Sequence, residues 1–451
     1  MSVTFKIKAS EAQGRRLDPS FYSPQYRKLD EAMSNCQYDC LEIRELQVEV
    51  FQGVSRNLLE RDGIRLLKVK NILPAGAIDF SDTEPISDVP GNKILKNGDI
   101  ISPFIGAAIR GYKFGYFETR EGERWTFDNN TGVFRNKDGR VLSRYLWAFF
   151  QLEITHRQLD RIIGGGGVPY LGTEYAKRLK VILPPLPEQR KIVAELDAAY
   201  AAKRAADEKA TKLLASIDDM VLNELGIAKL PKPDTSLSSR IFTVPAREVL
   251  NGRLDPIAYQ PLRRQFYKNV REGTYETLRL GEVVDVDRRQ TDSLDGLTYV
   301  GLENINGSDG TYSPTGEKES ISTAVLFREG EILFPKLRPY LNKVWLADFD
   351  GAASTEFFPL IPNGVTPEYL IAYLRLTQVA KVMTLLMTGN TLPRVQLEDV
   401  LSLPVPIPPR PVQDRIASKA SSICAEARKL KADATAALDA AKRKIEEKIL
   451  R

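Results

Sequence analysis

The sequence predicts an α+β protein that consists of two copies of one unit, each a globular domain followed by a long helix. Three observations support this fold class. The motifs of the first half recur in the same order in the second half, short strands with Gly, Pro and Asn turns fill most of each copy, and a heptad-patterned segment ends each copy. A chain of 451 residues, 43% of them hydrophobic, can bury more than one core.

The internal repeat is visible in five pairs of motifs. Their order is the same in both halves, and the distance between copies shrinks slowly, as small loop deletions within a duplicated unit would produce. Two of the pairs are predicted to form strands, one of them after a turn at Gly98 or Gly330. The pairs are Arg16-Leu17-Asp18-Pro19 with Arg253-Leu254-Asp255-Pro256, the strand ending at Asn71-Ile72 with that ending at Asn304-Ile305, Leu95 to Pro103 with Phe327 to Pro335, Val168-Pro169 with Leu392-Pro393, and Leu183 to Ile192 with Ile407 to Ile416.

Each copy ends in a predicted long helix. The first follows a proline-rich lead, has Glu188 in its first turn, and then continues without Gly or Pro until Gly226. Mostly small or apolar residues recur along both helices at heptad spacing, which predicts that the helices pair in a coiled coil. These residues are Leu196, Ala199, Lys203, Ala206, Ala210, Leu213, Ile217 and Met220 in the first helix, and Ala420, Ile423, Ala427, Leu430, Ala434, Ala437 and Ala441 in the second.

We predict that the two helices pair antiparallel, which relates the copies by a pseudo-twofold axis and separates the globular domains by a rod of about 57 Å. Residues 227–240 are rich in Pro and Ser and form the predicted linker between the copies. The predicted segments are a first globular domain at 1–182, a central helix at 183–226, the linker at 227–240, a second globular domain at 241–406 and a C-terminal helix at 407–451.

Composition makes most catalytic classes improbable. The net charge of +5 is too small to identify a polyanionic partner without further argument. The three cysteines, Cys36, Cys40 and Cys424, cannot form a disulfide framework and indicate a reducing, cytoplasmic compartment. His156 is the one histidine, so histidine triads and common zinc motifs are not expected. We expect no catalytic residues, no metal site, no cofactor site and no membrane segment.

The helix leads LPPLPEQRKIVAELD and IPPRPVQDRIASKA resemble the specificity subunit of Type I restriction-modification enzymes. The resemblance covers essentially the whole chain and is most specific at Pro184, Pro185, Leu186, Glu188, Gln189 and Ile192. The second lead retains Pro411 and Gln413 but has Val412 in place of the acidic residue, which weakens the start of that helix.

The resemblance implies a subunit that is not itself an enzyme. Each globular domain would be a target-recognition domain that reads one half of a split site in double-stranded DNA. The helices would bind two modification (methyltransferase) subunits, which hold S-adenosylmethionine, and a restriction (motor-nuclease) subunit would join the complex. The candidate partner-binding and spacer residues are Glu188, Gln189, Ile192, Leu196, Gln413, Ile416, Ile423 and Leu430.

Basic and amide side chains in the predicted loops are candidates for DNA contact. Lysine and arginine neutralise phosphates, and Arg, Asn and Gln can bond to base edges. The segments Ser102 to Phe117 and Phe334 to Trp345 combine bases with aromatic residues and contain no acid. The candidates are Arg110, Lys113, Asn129, Asn130, Arg288, Arg289, Gln290, Lys336, Arg338, Lys343, Asn390 and Thr391.

Structural explanations compete with each of these assignments. Alternating aromatic residues are usually core packing, and polar loop residues are usually solvated turns. The glycine-rich segments at Gly164 to Gly167 and at Gly389 could approach phosphates or could simply connect a helix to a strand. The alternative function is a duplicated coiled-coil scaffold for protein interaction, without DNA specificity.

Overall fold

The computed structural model describes residues 19–55, 63–118, 122–163, 168–232, 236, 241–250, 256–315 and 322–451. The chain divides into two compact units, unit 1 at Met1–Ala206 with Ala432–Arg451, and unit 2 at Asp207–Lys431. Each unit therefore includes part of both long helices, which the sequence-based boundaries treat as separate segments. The repeated motifs Arg16 to Asp18 and Arg253 to Asp255 and the segment Gly164 to Gly167 lie outside the described residues.

Both units combine runs of mostly antiparallel strands with separate runs of helices, which agrees with the predicted α+β class. The helices are α1 Pro24–Ser34, α2 Ser143–Phe150, α3 Glu153–Ile162, α4 Gly172–Ala176, α5 Leu186–Leu225, α6 Ala246–Leu250, α7 Pro261–Arg271, α8 Pro367–Leu374, α9 Thr377–Leu385, α10 Leu397–Leu401 and α11 Arg410–Leu450. The strands of unit 1 are β1 Asp39–Glu42, β2 Val48–Gln52, β3 Ile64–Leu67, β4 Glu84–Ile86, β5 Ile100–Pro103, β6 Gly115–Tyr116, β7 Trp125–Phe127, β8 Thr131–Asn136 and β9 Lys180–Leu183. Those of unit 2 are β10 Thr277–Arg279, β11 Val284–Val286, β12 Gln290–Thr291, β13 Tyr299–Val300, β14 Ala324–Phe327, β15 Ile332–Pro335, β16 Trp345–Leu346, β17 Gly351–Ser354, β18 Phe357–Pro362 and β19 Pro404–Pro406.

The duplication predicted from the sequence extends to the sheets. Unit 1 contains a four-stranded sheet in the order β2-β8-β5-β6, and unit 2 contains the matching sheet β11-β18-β15-β16. Strands β5 and β15 follow turns at Gly98 and Gly330, whose φ angles of 86° and 85° favour glycine. In both units a second sheet includes a parallel pair, β3 with β7 and β13 with β17.

Matched hydrogen bonds fix the alignment of the two units residue by residue. The hydroxyl of Tyr145 on α2 donates to the carbonyl of Ile182 at 2.6 Å, and that of Tyr369 on α8 donates to the carbonyl of Pro406 at 2.7 Å. Both tyrosines are fully buried, so each bond ties a core helix to the strand that precedes the long helix. The predicted strands at Asn71-Ile72 and Asn304-Ile305 end earlier than expected, at Leu67 and Val300, and continue into short 3-10 turns.

The long helices contribute to the core of each unit. In unit 1, Leu196 and Tyr200 of α5 and Ile445 of α11 are buried in one hydrophobic cluster. In unit 2, Val221 of α5 and Ile416 of α11 belong to the corresponding cluster. The long helices are therefore stabilised mainly by packing an apolar face against each domain, and less by the intrinsic helix propensity of their residues.

Contacts between the long helices show that they run in opposite directions: Tyr200 of α5 lies beside Lys442, and Glu195, earlier in α5, pairs with residues later in α11. In unit 1, Glu195 near the start of α5 pairs with Lys444 and Lys448 near the end of α11, both at 2.9 Å. In unit 2, Glu224 near the end of α5 pairs with Arg415 at 2.8 Å and with Lys419 at 2.7 Å. These hydrogen bonds lower the pKa of Glu224 to about 2.

The predicted heptad residues are buried or half-buried with one exception. Ala437 is exposed, and its neighbour Leu438 is buried in the unit 1 core instead. A helix with 3.6 residues per turn drifts relative to a strict 3.5-residue repeat, and the larger side chain of Leu438 gains more from burial than a methyl group does.

A buried ion pair holds the centre of the unit 1 sheet. Arg135 on β8 donates to both carboxylate oxygens of Asp99, from Nε at 2.9 Å and from Nη2 at 2.7 Å. The side chains are 6% and 1% exposed, and Arg135 also donates to the carbonyls of Asn92 and Ile94. Removing the carboxylate would leave a buried guanidinium without its counter-charge.

We expect Asp99→Ala to lower the free energy of unfolding by about 3–5 kcal/mol, because the buried charge of Arg135 loses its partner. Asp88→Ala is the matched control. It breaks the ion pair with Arg124, whose side chains are 60% and 78% exposed, and should cost about 0–1 kcal/mol. Urea unfolding of the full chain measures both values, and equal effects would show that the buried pair does not stabilise the sheet.

His156 on α3 is half-buried in unit 1 and is held as a neutral ring. It stacks on Tyr112 with ring centroids 4.3 Å apart, and its buried Nε2 has no hydrogen-bond partner among the described residues. The Tyr112 hydroxyl donates to Asp160 at 2.6 Å. Burial, together with the nearby charge of Lys442, lowers the pKa of His156 to about 4.

Because the folded-state pKa lies below the ordinary value of about 6.5, the unfolded chain binds this proton more tightly. The stability that His156 contributes is therefore complete above pH 6.5 and declines as the pH falls through about 4. The loss amounts to at most about 3 kcal/mol. His156→Phe keeps a ring beside Tyr112 and should make the free energy of unfolding less dependent on pH across this range. An unchanged pH dependence would show that His156 does not cause the loss of stability.

Candidate nucleic-acid interface

In unit 1, three loops meet where β5 and β8 are joined to their neighbours. The N–H groups of Phe104 and Ile105 donate to the carbonyl of Asn130 at 2.8 and 3.2 Å, and Gly106 N–H donates to the carbonyl of Pro169 at 2.8 Å. Ile105 also forms a bridge with Tyr170. We call the loops 104–114, 128–131 and 168–171 loop cluster 1.

Unit 2 has the same backbone arrangement at matched positions. The N–H group of Lys336 donates to the carbonyl of Glu356 at 2.8 Å, and Arg338 N–H donates to the carbonyl of Pro393 at 3.0 Å. Leu337 forms the bridge with Arg394 that Ile105 forms with Tyr170 in unit 1. We call the loops 336–344, 354–357 and 388–395 loop cluster 2.

The matched frames carry different side chains. Where loop cluster 1 has Asn130 and Tyr170, loop cluster 2 has Glu356 and Arg394. The guanidinium of Arg394 forms a two-pronged pair with Glu356, from Nη2 to Oε1 at 2.6 Å and from Nε to Oε2 at 2.8 Å. This hydrogen bonding lowers the pKa of the Glu356 carboxyl, while 40% of the Arg394 side chain stays exposed. The two loop clusters thus share one backbone arrangement but expose different polar side chains.

Half of the predicted DNA-contact residues are exposed in these two clusters. Loop cluster 1 places Arg110, Asn129 and Asn130 at the surface, and loop cluster 2 does the same for Arg338, Asn390 and Thr391. Lys113 is half-buried in loop cluster 1. Contact with DNA remains a prediction for all seven.

Arg288 and Gln290 lie near loop cluster 2 at the end of a second sheet. Thr291 on β12 pairs with Ala324 on β14. Ala324 in turn pairs with Ser354 on β17, at the start of the β17–β18 turn. Adjacent strands are about 4.8 Å apart, so Thr291 lies roughly 10 Å from that turn. Both predicted residues are exposed.

Three predicted DNA-contact side chains already have partners within unit 2. The ammonium of Lys336 donates to the carbonyl of Thr355 at 2.6 Å, that of Lys343 donates to the carbonyl of Leu302 at 2.6 Å, and Arg289 forms an ion pair with the buried Asp287. These bonds tie each side chain to its own unit. Each of the three groups thus has a structural partner in unit 2, and DNA contact stays a prediction for them.

The segment that contains Lys336 and Lys343 forms a loop between two strands. Strand β15 ends at Pro335, and a loop with a 3-10 turn at Pro339–Leu341 leads to β16. Arg338 has a φ of 49°, a left-handed conformation in which a regular strand cannot continue. The phenylalanines Phe104, Phe114 and Phe334 follow the core-packing explanation, since they are at most 1% exposed, whereas Tyr340 is 48% exposed.

Several helix-lead residues proposed for partner binding are buried in their own unit. The side chain of Gln189 accepts from Leu142 N–H at 2.9 Å and donates to the carbonyl of Pro184, and Gln413 accepts from Thr366 N–H at 2.8 Å. Each glutamine thereby ties the start of a long helix to the preceding domain. The assignment to partner contact is corrected to a structural role for Gln189, Gln413, Ile192, Leu196 and Ile416, which are all at most 4% exposed.

The remaining helix residues retain accessible surface. Glu188 pairs with Lys191 at 3.1 Å and stays partly exposed, and Ile423 and Leu430 are half-buried. These three stay candidates for partner contact.

Sequence reasoning missed Glu356, Arg394 and Tyr170. A signal for two of them existed, because Val168-Pro169 and Leu392-Pro393 align as repeats and the next residues are Tyr170 and Arg394. Glu356 had no such signal, since its partner is remote in the sequence and is reached only through the fold.

Membrane-spanning helices and metal-binding clusters are both absent from the described residues. No helix among them has the length and apolar character needed to cross a membrane. No group of three or more His, Cys, Asp or Glu side chains among them could hold a metal ion.

Two units with one loop scaffold and unlike exposed side chains define a duplicated recognition protein. The family model for the Type I restriction modification DNA specificity domain matches residues 76–212 and 272–436, which together exceed half of the chain. The chain belongs to this family, and the resemblance seen in the helix leads is confirmed.

Individual relatives are more distant. The chain is 24% identical over 271 residues to the Type I restriction enzyme EcoDI specificity subunit of Escherichia coli, and the match spans 58% of this chain and 59% of that protein. A solved chain described under complex assembly and conformational transition of the type I R-M system is 16% identical with a TM-score of 0.47, over 92% of this chain and 97% of that one. The HsdS subunit from Thermoanaerobacter tengcongensis is 16% identical with a TM-score of 0.34, over 92% of this chain and 96% of the other.

Proposed function

We propose that this chain reads a bipartite site in double-stranded DNA, one half with each unit, and directs adenine methylation or restriction by partner subunits. The observation that carries the proposal is the matched pair of loop clusters. A duplicated scaffold with equal surfaces would suit a symmetric site, whereas Asn130 and Tyr170 in one cluster and Glu356 and Arg394 in the other suit two different half-sites.

The exposed side chains fit the chemistry of DNA recognition. Asparagine can form two bonds to adenine, arginine can form two to guanine, and a carboxylate can accept from cytosine. Arg110 and Arg338 are exposed at the same clusters and suit phosphate contacts, which position a protein without reading sequence. Loop cluster 1 therefore favours an A·T pair at Asn129 or Asn130, and loop cluster 2 favours a G·C pair at Arg394 and Glu356.

The long helices would set the distance between the half-sites. Helix α5 has 40 residues, which gives a length of about 60 Å. The opposite directions of α5 and α11 and the burial of their heptad residues support an antiparallel coiled coil with pseudo-twofold symmetry.

The chemistry would belong to the partners. In this proposal the chain has no catalytic residues and no cofactor, two modification subunits bind S-adenosylmethionine and methylate flipped adenines, and a restriction subunit joins them. Two partners are expected because the helix leads are duplicated down to the buried bonds of Gln189 and Gln413.

We expect the purified chain to transfer no methyl group to DNA when S-adenosylmethionine is added. Co-expressed with its modification subunits, it should form a complex of two such subunits and one copy of this chain, and that complex should methylate DNA. Native mass spectrometry and a methyl-transfer assay measure these outcomes. Methylation by the chain alone, or a single modification subunit per chain, would contradict the proposal. A complex that binds duplex DNA without any sequence preference would favour the scaffold alternative.

A further inference from the structure

In unit 1, aromatic and cationic side chains fill the groove between α2, β6 and the long helices. The guanidinium of Arg144 lies 4.0 Å from the ring centroid of Trp147 and 4.6 Å from that of Tyr116. Trp147 packs on Tyr200 at 5.4 Å, and the Lys442 ammonium lies 5.5 Å from the Tyr200 ring. This alternation of rings and cations leaves Trp147 and Tyr200 only 2% exposed.

In unit 2, the matched positions hold Leu346, Glu368, Ile371, Cys424 and Asp218. The alignment of the core helices follows from Tyr145 and Tyr369, which make equivalent hydrogen bonds. The alignment of the long helices follows in the same way from Gln189 and Gln413. All the rings of the unit 1 stack are absent at these positions. The result is a cleft of about 650 Å³ within unit 2.

Both cations of the unit 1 stack are replaced by acids in this cleft. Glu368 stands where Arg144 stands in unit 1, and Asp218 stands where Lys442 stands. Asp309 and Asp348 also line the cleft. Two arginines also line the cleft, and both have partners. Arg428 Nε lies 3.8 Å from Asp309 Oδ2. The guanidinium of Arg375 donates to the carbonyls of Asn342, Val344 and Gly307.

The cleft also contains an acceptor without a donor. The Oδ1 atom of Asn342 is buried and has no hydrogen-bond partner among the described residues. Its amide nitrogen donates to the carbonyl of Arg375 at 2.7 Å, which holds the side chain in place. A buried acceptor left unpaired costs free energy that an incoming N–H group would recover.

We infer that this cleft binds a segment of a partner protein in which an aromatic side chain is flanked by basic side chains. The occupants of the matched groove in unit 1 are themselves an indole, two phenols, a guanidinium and an ammonium, all of them protein side chains. The incoming ring would occupy the space in unit 2 that corresponds to the positions of Trp147 and Tyr200 in unit 1. The flanking cations would pair with Glu368 and Asp218. The inference is independent of DNA reading. Since unit 1 fills its own groove, the partner segment would dock on unit 2 alone.

The test uses the full-length chain and a fluorescein-labelled peptide, acetyl-Ala-Arg-Trp-Lys-Ala-amide, in a fluorescence anisotropy titration. We expect saturable binding that is at least tenfold weaker when the Trp is replaced by Ala and at least tenfold weaker when both basic residues are replaced by Glu. Equal binding of all three peptides, or no saturable binding of the first, would overturn the inference.

Substitutions in the chain test whether the peptide binds in the cleft. Ile371→Trp with Cys424→Tyr restores two of the three unit 1 rings, and Glu368→Arg restores one unit 1 cation at an exposed position. Each change should weaken peptide binding at least tenfold. Asp285→Arg reverses an exposed acid on β11 and should leave the affinity unchanged. Thermal unfolding confirms that each variant is folded. Unchanged affinity in Glu368→Arg overturns the inference, and so does concentration-dependent self-association that Glu368→Arg abolishes, because the occupant would then be a second copy.

Discussion

Arg394→Ala is expected to weaken binding of the assembled methyltransferase complex to its own target by about 10- to 100-fold and to relax selectivity at one G·C pair. The substitution removes the two-pronged donor of loop cluster 2 and leaves the Glu356 carboxylate unpaired beside DNA. Binding to DNA of unrelated sequence should change little, since phosphate contacts dominate there.

Arg410→Ala is the matched control for this prediction. Arg410 also forms an ion pair in unit 2, with Asp414 at 2.8 Å, but it lies at the start of α11 and outside loop cluster 2. Competition titrations with the target duplex and with duplexes altered at one base pair compare the two variants. If both variants bind the target as the parent does, Arg394 is not a specificity residue.

Lengthening both long helices together is expected to lengthen the unread spacer of the DNA site. Seven residues inserted near Ala206 and seven near Leu430 keep the heptad register and add about 10.5 Å, or about three base pairs of ~3.4 Å. Both read halves should stay unchanged, because neither loop cluster is altered. Sequencing of methylated DNA from cells that carry active variants gives the spacer directly.

Insertions that break the register serve as controls for the helix prediction. Four residues turn the heptad face by about 40° and should lower activity, and an insertion in one helix alone should be absorbed as a bulge. DNA twist rotates the far half-site as the spacer grows, so activity of the seven-residue variant should decrease as well. An active paired variant with the parental spacer would show that the helices do not set the distance.

The duplication and the helices were predictable because they depend on local patterns. Heptad spacing and the order of repeated motifs survive in the sequence, and packing then reproduced them with one shift, from Ala437 to Leu438. The roles of polar residues were harder to predict. The motif in the helix lead identifies Gln189 but not its role, which is to bond the start of α5 to Leu142 and Pro184.

Loop chemistry depends on contacts that the sequence does not encode locally. Lys336 and Arg338 are two residues apart in one basic segment, but the first is bonded to Thr355 and the second is exposed. Glu356 and Arg394 are far apart in the chain and meet because the loop after β15 contacts both, through the bond from Lys336 N–H to the Glu356 carbonyl and the bridge between Leu337 and Arg394. Base-reading candidates therefore emerge only when the loops are placed beside each other.

The most direct test of two-unit recognition is the methylation motif of variants altered in one loop cluster. The parent chain, expressed with its modification subunits, should yield a motif of two short halves around an unread spacer. Asn129→Ala with Asn130→Ala should change the first half alone, and Glu356→Gln with Arg394→Gln should change the other half alone. Sequencing of modified adenines reports all three motifs. A variant that changes both halves, or a parent motif without two separate halves, would contradict the account.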